Sequence, residues 1–194
     1  EKGEKLALVG PNGVGKSSLL KAILKKIPVT GVIRLGGNVR VGYFDQELAD
    51  LDLNCTVLEA VHRRFPAKTE HEIRSALARL LITDEAVYKR VRELSGANRA
   101  KVAFCILMFT RANFLILDEP TNHLDYTAKE ALDDALRRFD GTMLVVSHDR
   151  YFLNSVPTMI AEMQPQGITL YPGKYDDYVA AKEKSASNAT VTDS

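Results

Sequence analysis

The chain has little of anything that would tie it to a membrane, a disulfide framework or a large electrostatic partner. Its 194 residues carry 26 Lys and Arg against 25 Asp and Glu, a formal net charge of +1. So small a balance gives no global attraction to nucleic acid, and any such contact has to be local. Two cysteines, Cys55 and Cys105, stand in unrelated contexts without metal-ligand spacing. They read as reduced thiols of a cytosolic protein, filling a core or an interface. Apolar runs such as Phe104 to Phe109 are far too short to cross a bilayer, and there is no N-terminal signal pattern and no internal repeat. What remains is 45% hydrophobic and 26% charged, an ordinary composition with room for one domain, a real core and a small inserted subdomain.

The stretch GPNGVGKSS, Gly10 to Ser18, lies between the apolar run Leu6 to Val9 and a helical pattern from Leu19 to Ile27. Strand, glycine loop and helix in that order fit a phosphate-binding P-loop. Gly10, Gly13 and Gly15 let backbone N–H groups converge without a Cβ in the way, and the following helix aims its positive dipole end at the same point. Pro11, Asn12 and Val14 complete the loop. Lys16 then reaches the outer phosphates of a nucleotide, the Ser17 hydroxyl can ligate magnesium, and Ser18 continues the first helical turn. A Gly-rich turn that merely starts a helix needs neither Lys nor Ser at these positions.

Pro28 ends the first helical pattern, and TGVIRLGG followed by NVRVGYF alternate like two short strands around Gly36 and Gly37. From Thr56 the period becomes helical. Thr56 with Glu59 and Thr69 with Glu72 have capping-box spacing, which predicts two helices broken near Pro66. Between residues 62 and 101 basic residues exceed acidic ones by about five, which reads as a solvated helical face or as a local contact for phosphate or RNA. Ser95 is placed to cap a helix running to Phe109. FLILDEP is a continuously apolar strand ending in Asp118 and Glu119, and TMLVVSHD is another ending in His148; strands this apolar are buried on both faces, as in a parallel sheet. Acids at such strand ends face the crevice where ligands bind. Residues 127–139 form an amphipathic helix, Asp149 caps a short one, and Met159 to Met163 and Ile168 to Tyr171 are strands. The last ten or so residues are rich in Ser, Ala, Thr and Asn and are expected to be disordered.

A P-loop, a Gln after an early strand, LSG before a helix, an apolar strand ending in Asp-Glu and a strand ending in His occur in one fixed order. Together they resemble the nucleotide-binding domain of the ATP-binding cassette (ABC) superfamily, from about Leu6 to Tyr178. The short insert between Gln46 and Leu94, the DEPTNHLD run, and SHDRYFL followed by YPGKYDDY resemble the ABC-F subfamily, twin-cassette ATPases acting on ribosomes as translation factors or antibiotic-resistance proteins. VGYFDQE looks more like the second cassette than the first. The resemblance implies an α/β P-loop NTPase fold with a mainly parallel core sheet, a small helical subdomain at about 50–94 and a β-rich edge. On this reading the cassette covers residues 1–178, followed by a disordered tail at 179–194. So abrupt a start before the first strand suggests a domain cut from a longer cytoplasmic protein.

The same resemblance assigns roles. Glu119 orients and deprotonates the attacking water, and Asp118, with Ser17 and Gln46, holds magnesium; an acid pair capping the next turn is the plainer alternative. Gln46 also touches the water, and His148 contacts the γ-phosphate. Ser95 and Gly96 of LSG point at ATP held by a second cassette, with Asp125 at the same interface. A composite site of this kind implies Mg-ATP hydrolysis that is weak in an isolated cassette. Two features depart from the family pattern: Ala97 stands where a second glycine is usual, and Asn98 where Glu or Gln is usual. The adenine-stacking aromatic of the family would lie upstream of Glu1, so base recognition has no residue assigned. Tyr171, Tyr175 and Tyr178 can stack on bases or pack against the domain. The alternative function is the ATPase subunit of an ABC membrane transporter; a further one is a binding module in which ATP occupancy matters more than turnover.

Overall fold

Apolar strands that alternate between two buried faces build the centre of the molecule. The computed structural model describes residues 2–44 and 51–191. Six strands form one sheet: β1 (Lys5–Val9), β2 (Val41–Phe44), β3 (Phe114–Asp118), β4 (Thr142–Val146), β5 (Met159–Gln164) and β6 (Gly167–Pro172). Their order is β2-β3-β4-β1-β5-β6. All neighbours pair parallel except β5 and β6, which form an antiparallel edge. Leu8, Ile116, Leu144, Val146 and Ala161 point to one face and pack with Leu20 of helix α1 (Lys16–Ile23). Their alternating neighbours Ala7, Val9, Leu115, Leu117, Met143, Val145 and Ile160 belong to the larger core on the other face. This two-sided burial explains why β3 and β4 are apolar throughout.

The second core is closed by helices α2 (Val57–His62), α3 (Glu70–Arg79), α4 (Asp84–Val87), α5 (Gly96–Phe109), α6 (Tyr126–Arg137) and α7 (Arg150–Ser155), with α8 (Tyr175–Val191) beyond β6. Both expected capping boxes form: Thr56 and Thr69 accept from the amides of Glu59 and Glu72, whose carboxylates reach back to the cap amides. Val57, Val61, Ile73 and Leu77 are fully buried, so α2 and α3 are fixed by packing as well as by their caps.

Three expectations fail. No strand forms over residues 29–40; Val32 and Leu35 of that stretch are exposed, and only Val41–Phe44 finds a partner, β3. Alternation supplies a strand's faces but not the neighbouring ladder that satisfies its backbone. Helix α1 ends at Ile23 rather than continuing to Ile27, because Lys25 adopts a positive φ of 58°. The tail expected to be disordered from residue 179 is helical through Val191. Composition understated the anchorage of α8, whose Tyr178 is buried and whose Lys182 bonds to Glu162.

Candidate nucleotide site

Parallel order places the carboxyl ends of β1, β4 and β3 side by side, and the residues that follow these strands carry the chemistry. After β1 the chain turns through Gly10, Gly13 and Gly15, all at positive φ. Gly10 must also lack a Cβ, which would collide with the carbonyl oxygen of Met163 on β5. Gly15, at φ 106°, is the residue from which α1 begins. Lys16 is 93% buried by its surroundings, being 7% exposed, and its ammonium donates to the carbonyl oxygens of Gly10 at 2.8 Å and Pro11 at 2.9 Å. Ser17 and Ser18 are exposed on the first turn of α1. A polyphosphate at this loop offers the ammonium full negative charges in place of two carbonyls, and charge-assisted bonds are the stronger.

Glu119 follows β3 and extends its ladder, donating its N–H to the carbonyl of Val146 at 2.9 Å. Its φ of 48° is a left-handed conformation unusual for a side chain of this kind. The carboxylate lies against the residue two positions beyond β4: Oε1 is 3.4 Å from His148 Nε2, and Oε2 accepts from the His148 amide at 3.4 Å. Burial pushes the Glu119 pKa up, and Asp118 adds to this, while His148 and Lys16 pull it down. A carboxylate so destabilised is a better proton acceptor than an ordinary surface glutamate. His148 is exposed, its side chain at 58%, which leaves it accessible to a ligand.

Ser17 and Asp118 supply hard oxygen donors from α1 and β3, two elements in contact. One hydroxyl and one carboxylate fit Mg2+, which takes few protein ligands and completes its shell with phosphate and water. Beyond Gly10 and Pro11 a cleft of about 420 Å³ opens between the loop, His148, Arg150, Tyr175 and Tyr178. The three C-terminal tyrosines pack on one another, with ring centroids 5.0 Å apart for Tyr171 and Tyr178 and 5.6 Å for Tyr175 and Tyr178, so the packing alternative holds for them.

Lys16, Asp118, Glu119 and His148 are thus brought together. Ser95 and Gly96 are not: they stand exposed at the start of α5, which packs on β2, α2 and α3. Ser95 caps α5 by accepting from Asn98 N at 3.2 Å, the forward half of a capping box without the reciprocal bond. Asp125 is exposed and caps α6 through Ala128 N at 2.8 Å. Gln46 lies outside the described residues. Two polar groupings escaped the sequence reading. Glu162, 5% exposed, accepts from Tyr178 Oη at 2.8 Å and Lys182 Nζ at 2.5 Å; an acid inside the otherwise apolar strand MIAEM was its only signal. Lys129 pairs with Asp149 at 2.6 Å across twenty residues, and no local pattern announces it.

A glycine loop feeding α1, with an Asp-Glu pair and a His at the ends of neighbouring strands, defines a P-loop nucleotide-binding cassette. Residues 1–122 match the family model described as ABC transporter, and the chain belongs to that family. Among curated relatives it is 48% identical over 182 residues to YdiF of Bacillus subtilis (strain 168), named as an ATP-binding protein, covering 93% of this chain and 28% of the relative. It is 42% identical over 182 residues to ABC transporter F family member 5 of Arabidopsis thaliana, covering 92% and 26%. To ATP-binding cassette sub-family F member 3 of Homo sapiens it is 39% identical over 178 residues, covering 91% and 25%. The chain is therefore closely related to F-subfamily cassettes, and it spans only about a quarter of these relatives' length. The dimeric post-hydrolysis cassette MJ0796 bound to ADP and Pi superposes with a TM-score of 0.73 at 21% identity, over 89% of this chain and 86% of that one, which establishes the fold. Among the described residues no helix is long and apolar enough to cross a membrane.

Proposed function

We propose that the chain is the ATP-binding and hydrolysing cassette of an F-type, ribosome-associated ATPase of the cytoplasm, with residues 1–178 as the cassette and 50–94 as its helical insert. The observation that carries this reading is the convergence of Lys16 with the Glu119–His148 pair at adjoining strand ends. Gly10 to Ser18 cradle the phosphates and Lys16 neutralises them. Ser17 and Asp118, with Gln46, hold Mg2+, which supplies charge neutralisation to the triphosphate. Glu119 takes a proton from the attacking water, and His148, whose backbone and ring both meet Glu119, holds that carboxylate and reaches the γ-phosphate. Ser95 and Gly96, exposed at the start of α5, serve ATP on a second cassette. An isolated cassette accordingly binds ATP and turns it over slowly, and closure of two cassettes drives the ribosomal step, as translation factor or resistance protein. The basic insert is the candidate RNA contact, with salt-sensitive affinity.

The test uses the full-length protein. Glu119→Gln keeps ATP binding, loses turnover and holds the closed state on ribosomes in sucrose gradients. Wild-type turnover by this variant contradicts Glu119 as the base. Absence from ribosomal fractions, with ATP bound, contradicts the ribosomal partner.

A further inference from the structure

The turn that presents His148 is itself held by a chain of bonds. Asp149 donates its N–H to Ser147 Oγ at 3.1 Å. Its Oδ1 accepts from the amides of Tyr151 at 3.0 Å and Phe152 at 3.2 Å, capping α7. Its Oδ2 accepts from Lys129 Nζ at 2.6 Å. Both carboxylate oxygens are thus committed, one to α7 and one to α6. Burial raises the Asp149 pKa, but the Lys129 ammonium and the two α7 amides outweigh it and hold the carboxylate low. The pair is partly screened from water, with side chains 32% and 15% exposed, so it is stronger than an open surface pair.

Lys129 sits in the first turn of α6, and its N–H donates to the carbonyl of Asp125 at 3.0 Å. Tyr126 and Tyr151, with ring centroids 6.1 Å apart, join α6 and α7 at the same level. The ion pair therefore spans from the TNHLD turn to the residue directly after His148, and the His148 amide in turn donates to Glu119. Loss of the ammonium would free one carboxylate oxygen of Asp149 and remove the only ion pair described between this turn and α6, leaving the Tyr126–Tyr151 contact.

We propose that Lys129 is a positioning residue for the hydrolytic site, fixing the His148 turn through Asp149 and linking it to the TNHLD turn that opens α6. The proposal rests on the functional reading above. Misplacement of a reacting group by about 1 Å costs on the order of a hundredfold in rate, and a tethered backbone should shift by less.

In the full-length protein, Lys129→Met keeps the aliphatic stem and removes the charge. It should lower kcat for ATP about tenfold, with KM changed less than about twofold, and Lys129→Arg should restore most of the loss. In a His148→Ala background Lys129→Met should cause no further loss. An unchanged kcat in Lys129→Met, or an equal further loss without His148, overturns the proposal. Relaxation of the His148 ring signals in NMR spectra reads the positioning without turnover: the ring should become more mobile in Lys129→Met, and unaltered relaxation also overturns it. A wild-type protein without ATPase activity contradicts the functional reading instead, and the ring measurement then decides the positioning claim.

Discussion

Asp133 is the most deeply buried acid among the described residues. It lies on α6 at 1% exposure, and neither carboxylate oxygen has a hydrogen-bond partner among the described residues. Burial pushes its pKa up to about 6 from 3.8; the Ser155 hydroxyl, close enough to be felt but outside hydrogen-bond geometry, and Arg137 pull it back in part, and Asp149 and Glu130 raise it. Below about pH 3 folded and unfolded chains both hold the proton, so the group contributes no pH dependence. As the pH rises through the unfolded value, only the unfolded chain ionises, and stability falls until the folded group ionises near pH 6. A rise of about two units at 1.36 kcal/mol each gives a penalty of ~3 kcal/mol, fully present at pH 7.5. Asp133→Asn retains shape and cannot ionise. Its stability relative to wild type should therefore climb by ~2 kcal/mol between pH 4.5 and pH 7.5. Urea unfolding of both proteins across that range measures the difference, and every other titrating group cancels. A difference that stays flat with pH would refute the reasoning.

Tyr178→Phe removes a donor from buried Glu162 and should lower stability by about 1.5–3 kcal/mol; a loss below about 0.5 kcal/mol in urea unfolding would mean that the Tyr178 hydroxyl does not anchor α8. Ala97→Gly with Asn98→Glu should complete the half-formed cap of α5 and let a partner's phosphate approach Gly96 more closely. In the full-length protein with this cassette silenced by Glu119→Gln, the double substitution should raise the steady-state rate, and an unchanged rate contradicts the role given to those two positions.

The parts of the molecule legible in the sequence were those whose cause is local. The P-loop, the caps at Thr56, Thr69, Ser95 and Asp149, and the apolar strands ahead of Glu119 and His148 are each specified within a few neighbouring residues, and all of them form. The failures needed information from elsewhere in the chain. Alternation over 30–37 looked like a strand, but no neighbour accepts it among the described residues. The fate of residues 179–191 depended on Glu162, sixteen residues before Tyr178 and twenty before Lys182. The Lys129–Asp149 pair and the unpartnered Asp133 arise only when α6 is laid against α7, so the polar framework behind His148 could not be read from periodicity. Where Ser95 and Gly96 stand follows from α5 packing on the insert rather than on the P-loop, a fact of topology.

The Lys16 ammonium is the group on which the proposed phosphate binding at this loop rests. Titration calorimetry of Mg-ATP into the wild type and Lys16→Ala tests it most directly, with circular dichroism to check that both are folded. Removing the ammonium leaves neutral loop donors facing the outer phosphates, so the affinity should drop by about tenfold or more at unchanged helix content. Equal affinity in two equally folded proteins would contradict phosphate binding through Lys16.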